Sequence, residues 1–197
     1  MSLRKFFFRY RGITPLPFIL ILLYQSNLTT TGLIVGLLIV ALGEAVRLAG
    51  VRQAGGNTRT RKVGAKRLST GGIYAHVRNP LYLGNLLIYV GFAIIAGGPW
   101  MVYLAVIALI YFSIQYGFII ALEEDTLTEL FGEEYRQYTE NVPRLLSRLR
   151  PWRDANQRPP KKWSSVFNSE KSTLLNQAVF LAVLIIKELT LNHPYEL

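Results

Sequence analysis

Gly72-Ile73-Tyr74-Ala75-His76-Val77-Arg78-Asn79-Pro80-Leu81-Tyr82-Leu83-Gly84 decides how this chain is read. It leads into apolar sequence of membrane-spanning length. That sequence ends at Glu123-Glu124, followed by Phe131-Gly132-Glu133-Glu134-Tyr135-Arg136-Gln137-Tyr138. Polar, aromatic and charged groups therefore gather at both ends of one hydrophobic hairpin, on the same side of a bilayer. Such an arrangement builds a site at the membrane surface, where a water-soluble cofactor can meet a lipid-soluble substrate.

Composition sets the class. The 197 residues are 51% hydrophobic and 17% charged, with positive mean hydropathy, whereas soluble proteins carry about 25% charge. A membrane protein of one domain is expected. There is no cysteine, so disulfides, thiolate nucleophiles and thiolate metal sites are excluded together. His76 and His193 stand far apart without ligand-like spacing, and no metal is expected. The net charge of +10 does not point to nucleic acid. The positive residues flank the apolar runs, where anionic headgroups attract Lys and Arg.

A helix crossing the hydrocarbon needs about twenty largely apolar residues. The apolar runs predict an all-α, polytopic transmembrane bundle of about five spans. They are 13–24, carrying Pro15 and Pro17 with Phe6-Phe7-Phe8 as an interfacial foot; 32–49, interrupted by Glu44 and Arg47; 81–97; 100–122; and a weaker one near 174–189. No cleavage-site pattern follows the first run, which reads as an anchor. The organisation expected is a membrane core over 1–150, with a segment 123–150 after the last core hairpin, a basic linker over 151–172 and an accessory helix over 173–197.

Charge orients the set. Arg4, Lys5, Arg9 and Arg11 precede the first run. The segment from Arg47 to Arg78 carries Arg47, Arg52, Arg59, Arg61, Lys62, Lys66, Arg67 and Arg78 without one acidic residue. The connections 25–31 and 97–99 are uncharged. By the positive-inside tendency the N-terminus and the polar site are cytoplasmic, and His193 to Leu197 lie outside.

Within the polar clusters, Gly71-Gly72 permits a sharp turn towards the membrane. Pro80 suits a first helical turn, where its missing N–H has no partner to lose. Asn79 stands at the cap position. Tyr74 and Tyr82 read equally well as an interfacial belt, but Arg78 between them suits an anionic or carboxylate-bearing ligand. Glu123, Glu124 and Asp125 close an apolar helix at the end where the dipole disfavours negative charge. Stability does not ask for acids there.

These residues carry a resemblance. Gly72-x-Tyr74-x-x-x-Arg78-x-Pro80-x-Tyr82-x-Gly84, then Glu123-Glu124-x-x-Leu127 and Phe131-Gly132-x-x-Tyr135-x-x-Tyr138 leading to Val142-Pro143, resemble the isoprenylcysteine carboxyl methyltransferase family and the related phospholipid N-methyltransferases. The likeness covers roughly Thr31 to Arg148. It implies a membrane-embedded methyltransferase that uses S-adenosylmethionine without a Rossmann sheet, its cofactor pocket facing the cytoplasm. Carried across, Tyr74, Arg78, Asn79, Pro80, Tyr82, Glu123 and Glu124 line the cofactor site, and Tyr135 and Tyr138 close it. The family has His where this chain has Asn79, which can donate a hydrogen bond but cannot titrate near neutral pH.

Methyl transfer from a sulfonium needs donor and nucleophile in line, and placement supplies much of the acceleration. A carboxylate acceptor needs only a cation, Arg78 or Arg144. An amine needs a base, Glu123 or Glu124. The expected partners are membrane lipids and a lipophilic or lipidated acceptor, an isoprenylcysteine-like carboxylate first and a phospholipid amino headgroup second. Two other readings compete. The integral-membrane sterol reductases share an Arg-x-x-Tyr element but are much longer, and a non-catalytic lipid-binding scaffold would tolerate Asn79.

Overall fold

A computed structural model describes residues 2–55, 67–153, 155 and 159–192. Among them the secondary structure is helical, and an isolated bridge between Asn27 and Gly97 is the nearest thing to a strand. The helices are α1 (Leu3–Tyr10), α2 (Leu16–Gln25), α3 (Thr30–Ala54), α4 (Pro80–Ala96), α5 (Met101–Asn141) and α6 (Trp163–Lys187), which continues as a π-helical turn over Glu188–Asn192. Arg59, Arg61, Lys62, Lys66, Asn57 and His193 to Leu197 lie outside the described residues.

Among the described residues three helices are long and apolar enough to cross a membrane: Thr30–Ala54, Met101–Asn141 and Trp163–Leu191. The five expected runs are all helical but differ in reach. α4 has 17 residues, about 26 Å of rise against a hydrocarbon core of about 30 Å. α2 has ten residues, about 15 Å, and does not cross by itself. Prolines explain the shortfall, since Pro15 and Pro17 start the helix at Leu16 rather than Ile13. α1 makes up part of the distance. Phe7 stacks on Phe118 of α5 at 5.4 Å, while at the far end of α2 the Gln25 amide donates to the Gly97 carbonyl at 2.8 Å.

The core hairpin is zipped by small residues. α3 and α4 run antiparallel, and their backbones meet where glycine faces glycine. A Cβ at Gly36 would stand 2.7 Å from the Gly91 carbonyl oxygen, and one at Gly43 would stand 2.7 Å from that of Gly84. Close backbone approach of this kind is how helices associate where lipid removes the hydrophobic drive. At Gly84 a Cβ would also meet Arg47 Cγ at 2.5 Å, so this glycine makes room for the Arg47 stem. α5 packs on α4 through Phe112, which stacks with Tyr89 at 3.9 Å and takes the edge of Phe18 from α2. Leu38 and Leu42 on α3 and Val102, Ile107, Ile110 and Ile114 on α5 stay exposed, forming the apolar faces a bilayer would cover.

The two ends of the bundle differ. At one end, 25–29 and 97–100 are laced together, with Asn27 N–H donating to the Ala96 carbonyl at 2.9 Å. α6 reaches this end too. Lys187 Nζ donates to the Ser26 carbonyl at 2.9 Å, and Leu28 N–H donates to Glu188 Oε2 at 2.8 Å. At the other end lie residues 67–79, the end of α5, and the segment after it.

α5 does not stop where its apolar sequence stops. The helix runs on to Asn141 and bends at Gly132, whose φ of 53° favours glycine. The accessory helix, expected from 173, begins at Trp163.

Candidate functional site

Residues 142–152 fold back under the Gly72 stretch. Arg78 N–H donates to the Pro143 carbonyl at 2.9 Å, Arg148 N–H to His76 O at 2.9 Å, and Trp152 N–H to Ala75 O at 3.0 Å. His76 Nδ1 donates to the Arg148 carbonyl at 2.9 Å, so this histidine is a structural tie. Asn79 occupies the cap position of α4 without capping it. Its amide donates instead to the Arg144 carbonyl at 3.1 Å, a contact that needs no titration. The segment from 151 onward, expected as a linker, is docked at its start.

A cavity of about 940 Å³ opens at this end and continues into the bundle. Tyr74, Arg78, Asn79, Tyr82, Glu123, Tyr135 and Tyr138 line it; Pro80, Glu124 and Arg144 are not among its lining residues. The two clusters of the sequence are joined by polar contacts. The Tyr82 hydroxyl donates to Glu123 Oε1 at 2.8 Å. Arg78 Nη2 lies 3.2 Å from Glu124 Oε1, with side-chain exposures of 12% and 13%, so the pair is well removed from water. Glu124 is also gripped by Arg144 from the outside. Thus Glu124 stands behind Arg78 and aims it. Among the described residues the Arg78 Nε is buried without a hydrogen-bond partner, a donor left over on the cavity wall.

The far wall is aromatic. Past the Gly132 bend, Tyr135 and Tyr138 turn back over the mouth with ring centroids 6.1 Å apart, and the Tyr138 hydroxyl donates to the Tyr74 carbonyl at 2.8 Å. Leu68, Val142, Phe131 and Trp152 pack behind them. Burial pushes the Tyr74, Tyr135 and Tyr138 hydroxyls above the usual phenol range, with the nearby glutamates adding to the shift, so these side chains are neutral donors at any working pH. Glu123 lies beyond the apolar run ending at Leu122. Burial raises its carboxyl, partly offset by the Tyr82 hydrogen bond and by Arg11.

A second polar group was not picked out from the sequence as a site. Arg47 of α3 donates to Asn85 Oδ1 of α4 at 2.6 Å and to Glu170 Oε2 of α6 at 2.5 Å. Glu44 lies 3.4 Å from Arg47 Nε and accepts from Gln177 of α6 at 2.6 Å. Arg47, Asn85, Glu170 and Gln177 line the inner part of the same cavity. One signal was legible: Glu44 and Arg47 are charges inside an apolar run, and such charges mark functional interiors. Their partner on α6 leaves no local trace.

The residues present suit S-adenosylmethionine. Four tyrosine rings offer apolar and stacking surface, and Glu123 offers a carboxylate for hydroxyls or an ammonium. Arg78 offers the unmatched Nε for a carboxylate. A cavity of this size, at the upper end of the range of roughly 300–1,000 Å³ for ligand sites, has room beside such a ligand.

Comparison with known proteins places the chain. The Phospholipid methyltransferase family matches residues 31–134. Methanethiol S-methyltransferase 1 of Bradyrhizobium diazoefficiens is 33% identical over 106 residues, covering 54% of this chain and 34% of that protein. The methanethiol S-methyltransferase of Pseudomonas deceptionensis is 36% identical over 117 residues, covering 58% and 42%. The protein-S-isoprenylcysteine O-methyltransferase of Homo sapiens is 31% identical over 117 residues, covering 56% and 39%. The chain thus spans about a third to two-fifths of the length of these curated relatives. No solved structure matches it. With more than half of its residues matched, from α3 through the bend of α5, the chain belongs to the phospholipid methyltransferase family.

Proposed function

We propose that this chain is an integral membrane methyltransferase that binds S-adenosylmethionine at the polar mouth and methylates a lipophilic acceptor held deeper in the same cavity. The observation that carries this is the continuity of one cavity, from the Arg78–Tyr82–Glu123 mouth to apolar walls on α2 and α6 such as Phe18, Leu22 and Phe180. A water-borne ligand and a bilayer-borne one can therefore meet inside it.

The bound cofactor would supply an electrophilic methyl group. Arg78, fixed by Glu124 and by the Pro143 carbonyl, would hold the ligand's carboxylate through Nε. Glu123 would take hydroxyl or ammonium donors. Tyr135 and Tyr138 would shut out water. Such placement, rather than covalent help from the protein, is what this transfer requires.

Geometry favours an amine acceptor over the carboxylate expected first. Of the two cations assigned to a carboxylate acceptor, Arg78 is given to the cofactor's carboxylate, and Arg144 faces Glu124 and does not line the cavity. Glu123, with its raised carboxyl, is the base at hand for the amine's proton.

Five crossings, an N-terminus and cofactor mouth in the cytoplasm, and a division into a core over 1–150 with α6 as an accessory helix complete the reading. Single cysteines test the orientation on a cysteine-free background. Thr30 and Gly98 are expected to label from outside, and the exposed Gln137 from the cytoplasm alone. External labelling of Gln137 would put the mouth on the wrong side.

Equilibrium binding to detergent-solubilised protein tests the class: S-adenosylmethionine is expected to bind and NADPH not to. The reverse would favour a reductase, and binding of neither a scaffold.

A further inference from the structure

The chain after α5 comes back to the membrane. From Glu123, where the apolar sequence has ended, α5 runs on to the Gly132 bend, about 13 Å of rise. A similar length of helix then returns to Asn141. Two contacts fix the level it reaches. The Pro143 carbonyl accepts from Arg78 N–H at 2.9 Å, just before the first turn of α4. Arg144 pairs with Glu124, just past the apolar run of α5. Leu145 packs against the hydrophobic core of the bundle. From there the chain runs without helix along His76 and Ala75, tied by Arg148 N–H and Trp152 N–H. This strap therefore starts at the edge of the hydrocarbon and lies against the headgroup layer.

The side chains it turns outward do not suit water. Leu146 is 83% exposed and Leu149 97%, more than Leu38 and Leu42 on the lipid-facing side of α3, at 67% and 57%. A single exposed leucine is ordinary. Two on one short strap at membrane level make an apolar tip that no described residue covers.

The charges around the tip select the surface that covers it. The strap carries Arg144, Arg148, Arg150 and Arg153 and no acid. Arg144 is committed to Glu124, and Arg148 Nη1 donates to the Asn141 carbonyl at 2.5 Å. Arg150 and Arg153, which follow Leu149, are exposed. Leucines that reach the acyl boundary and arginines that stay at the phosphates compose an interfacial anchor. The pairing recurs at this end of the bundle. Phe6 stands with Lys5 and Arg9 on α1, which Arg4 ties to Asp125 of α5 at 2.7 Å. Trp163, exposed, stands with Lys161 and Lys162 at the start of α6.

We propose that residues 144–153 are an interfacial anchor that docks on an anionic leaflet, with Leu146 and Leu149 inserted at the acyl boundary and Arg150 and Arg153 on the phosphates. The lipids bound there are not the methyl acceptor, for no strap residue lines the cavity. The inference needs the helices to cross a bilayer and nothing of the proposed reaction. Its consequence for the site is mechanical. The Pro143 and Arg144 carbonyls hold Arg78 and Asn79, so an anchored strap keeps the rim of the mouth at the membrane surface.

The test uses the full chain in nanodiscs of phosphatidylcholine, alone and with phosphatidylserine added. An environment-sensitive fluorophore is attached at Leu149→Cys or, for comparison, at the exposed Gln137→Cys, with no other cysteine to react. With phosphatidylserine present, nitroxide-bearing lipid is expected to quench the Leu149 position at least about twofold more than the Gln137 position, and aqueous iodide the reverse, as for a group lying roughly 5–10 Å into the interface. Arg150→Glu with Arg153→Glu is expected to lower the docked-to-free ratio at least about fivefold, the factor one arginine contributes at an anionic surface. Removing phosphatidylserine is expected to act in the same direction on the wild-type sequence, which decides the matter if the double variant does not fold. Iodide quenching equal at the two positions in both bilayers would overturn the proposal and leave the leucines to a soluble partner. Docking unchanged by phosphatidylserine or by the charge reversal would overturn it too, since hydrocarbon alone would then suffice.

Discussion

Arg78→Ala is expected to weaken S-adenosylmethionine binding by about 1–3 kcal/mol, the loss of one charge-assisted contact in a partly dry site. Arg78 is the side chain best placed to hold a carboxylate at the mouth. Its backbone N–H is pinned to Pro143 at 2.9 Å, its Nη2 lies 3.2 Å from Glu124, and its buried Nε has no hydrogen-bond partner among the described residues. Glu124→Gln acts on the same contact from behind by loosening the guanidinium. Arg78→Lys keeps the charge but loses the planar fork, and falls between wild type and alanine. Arg144→Ala is the comparison that separates site from surface. Arg144 grips the same Glu124, but its side chain is 47% exposed, so its pairing is worth no more than about 1 kcal/mol. Calorimetric titration should therefore rank the losses as Arg78→Ala, then Glu124→Gln, then Arg144→Ala. Wild-type affinity in both Arg78→Ala and Glu124→Gln would remove the mouth from the account.

Arg47→Leu is expected to destabilise the fold by about 3–5 kcal/mol, because it takes the shared guanidinium away from two buried carboxylates. Glu170 has 2% side-chain exposure and Glu44 12%, so neither is rehydrated where it stands. The Arg47 stem also fills the space that Gly84 leaves open. Removing the acid together with the base should be milder. Arg47→Leu with Glu170→Leu is expected to cost less than the sum of the two single changes, since the pair is coupled. Thermal unfolding in detergent measures all three. Strict additivity would mean that Arg47 and Glu170 do not hold α6 to the core.

Much of this was legible in the chain because membrane burial writes plainly. Each expected apolar run is helical, and the Gly72 stretch and the Glu123-Glu124 step do meet, through Tyr82 to Glu123 and Arg78 to Glu124. Reading failed where polarity and backbone geometry part company. Glu123 ends the apolar run, but nothing there breaks a helix, so α5 continues to the glycine that can bend it, Gly132. The polar start of α6, from Trp163, hid a helix for the same reason. Conversely, Pro15 and Pro17 shortened a run that hydropathy alone extends.

Pairings across long sequence separations were the other blind spot. Glu44 and Arg47 read as interruptions of a span, and Glu170 as part of a linker. Their union is set by the packing of α3, α4 and α6 around Gly43 and Gly84, a matter of shape that no local pattern carries. Glu124 looked interchangeable with Glu123, yet the two point to different tasks. Glu123 faces the cavity and Glu124 steadies Arg78.

In the proposed reaction one cavity joins a cofactor from water to an acceptor from the bilayer. The most direct measurement supplies purified protein with methyl-labelled S-adenosylmethionine and a membrane-lipid extract, then partitions the products between organic and aqueous phases. Label is expected in the organic phase, stable to base as an N-methyl group is; base-labile label released as methanol would instead identify an ester and a carboxylate acceptor. Label confined to water-soluble product would contradict it.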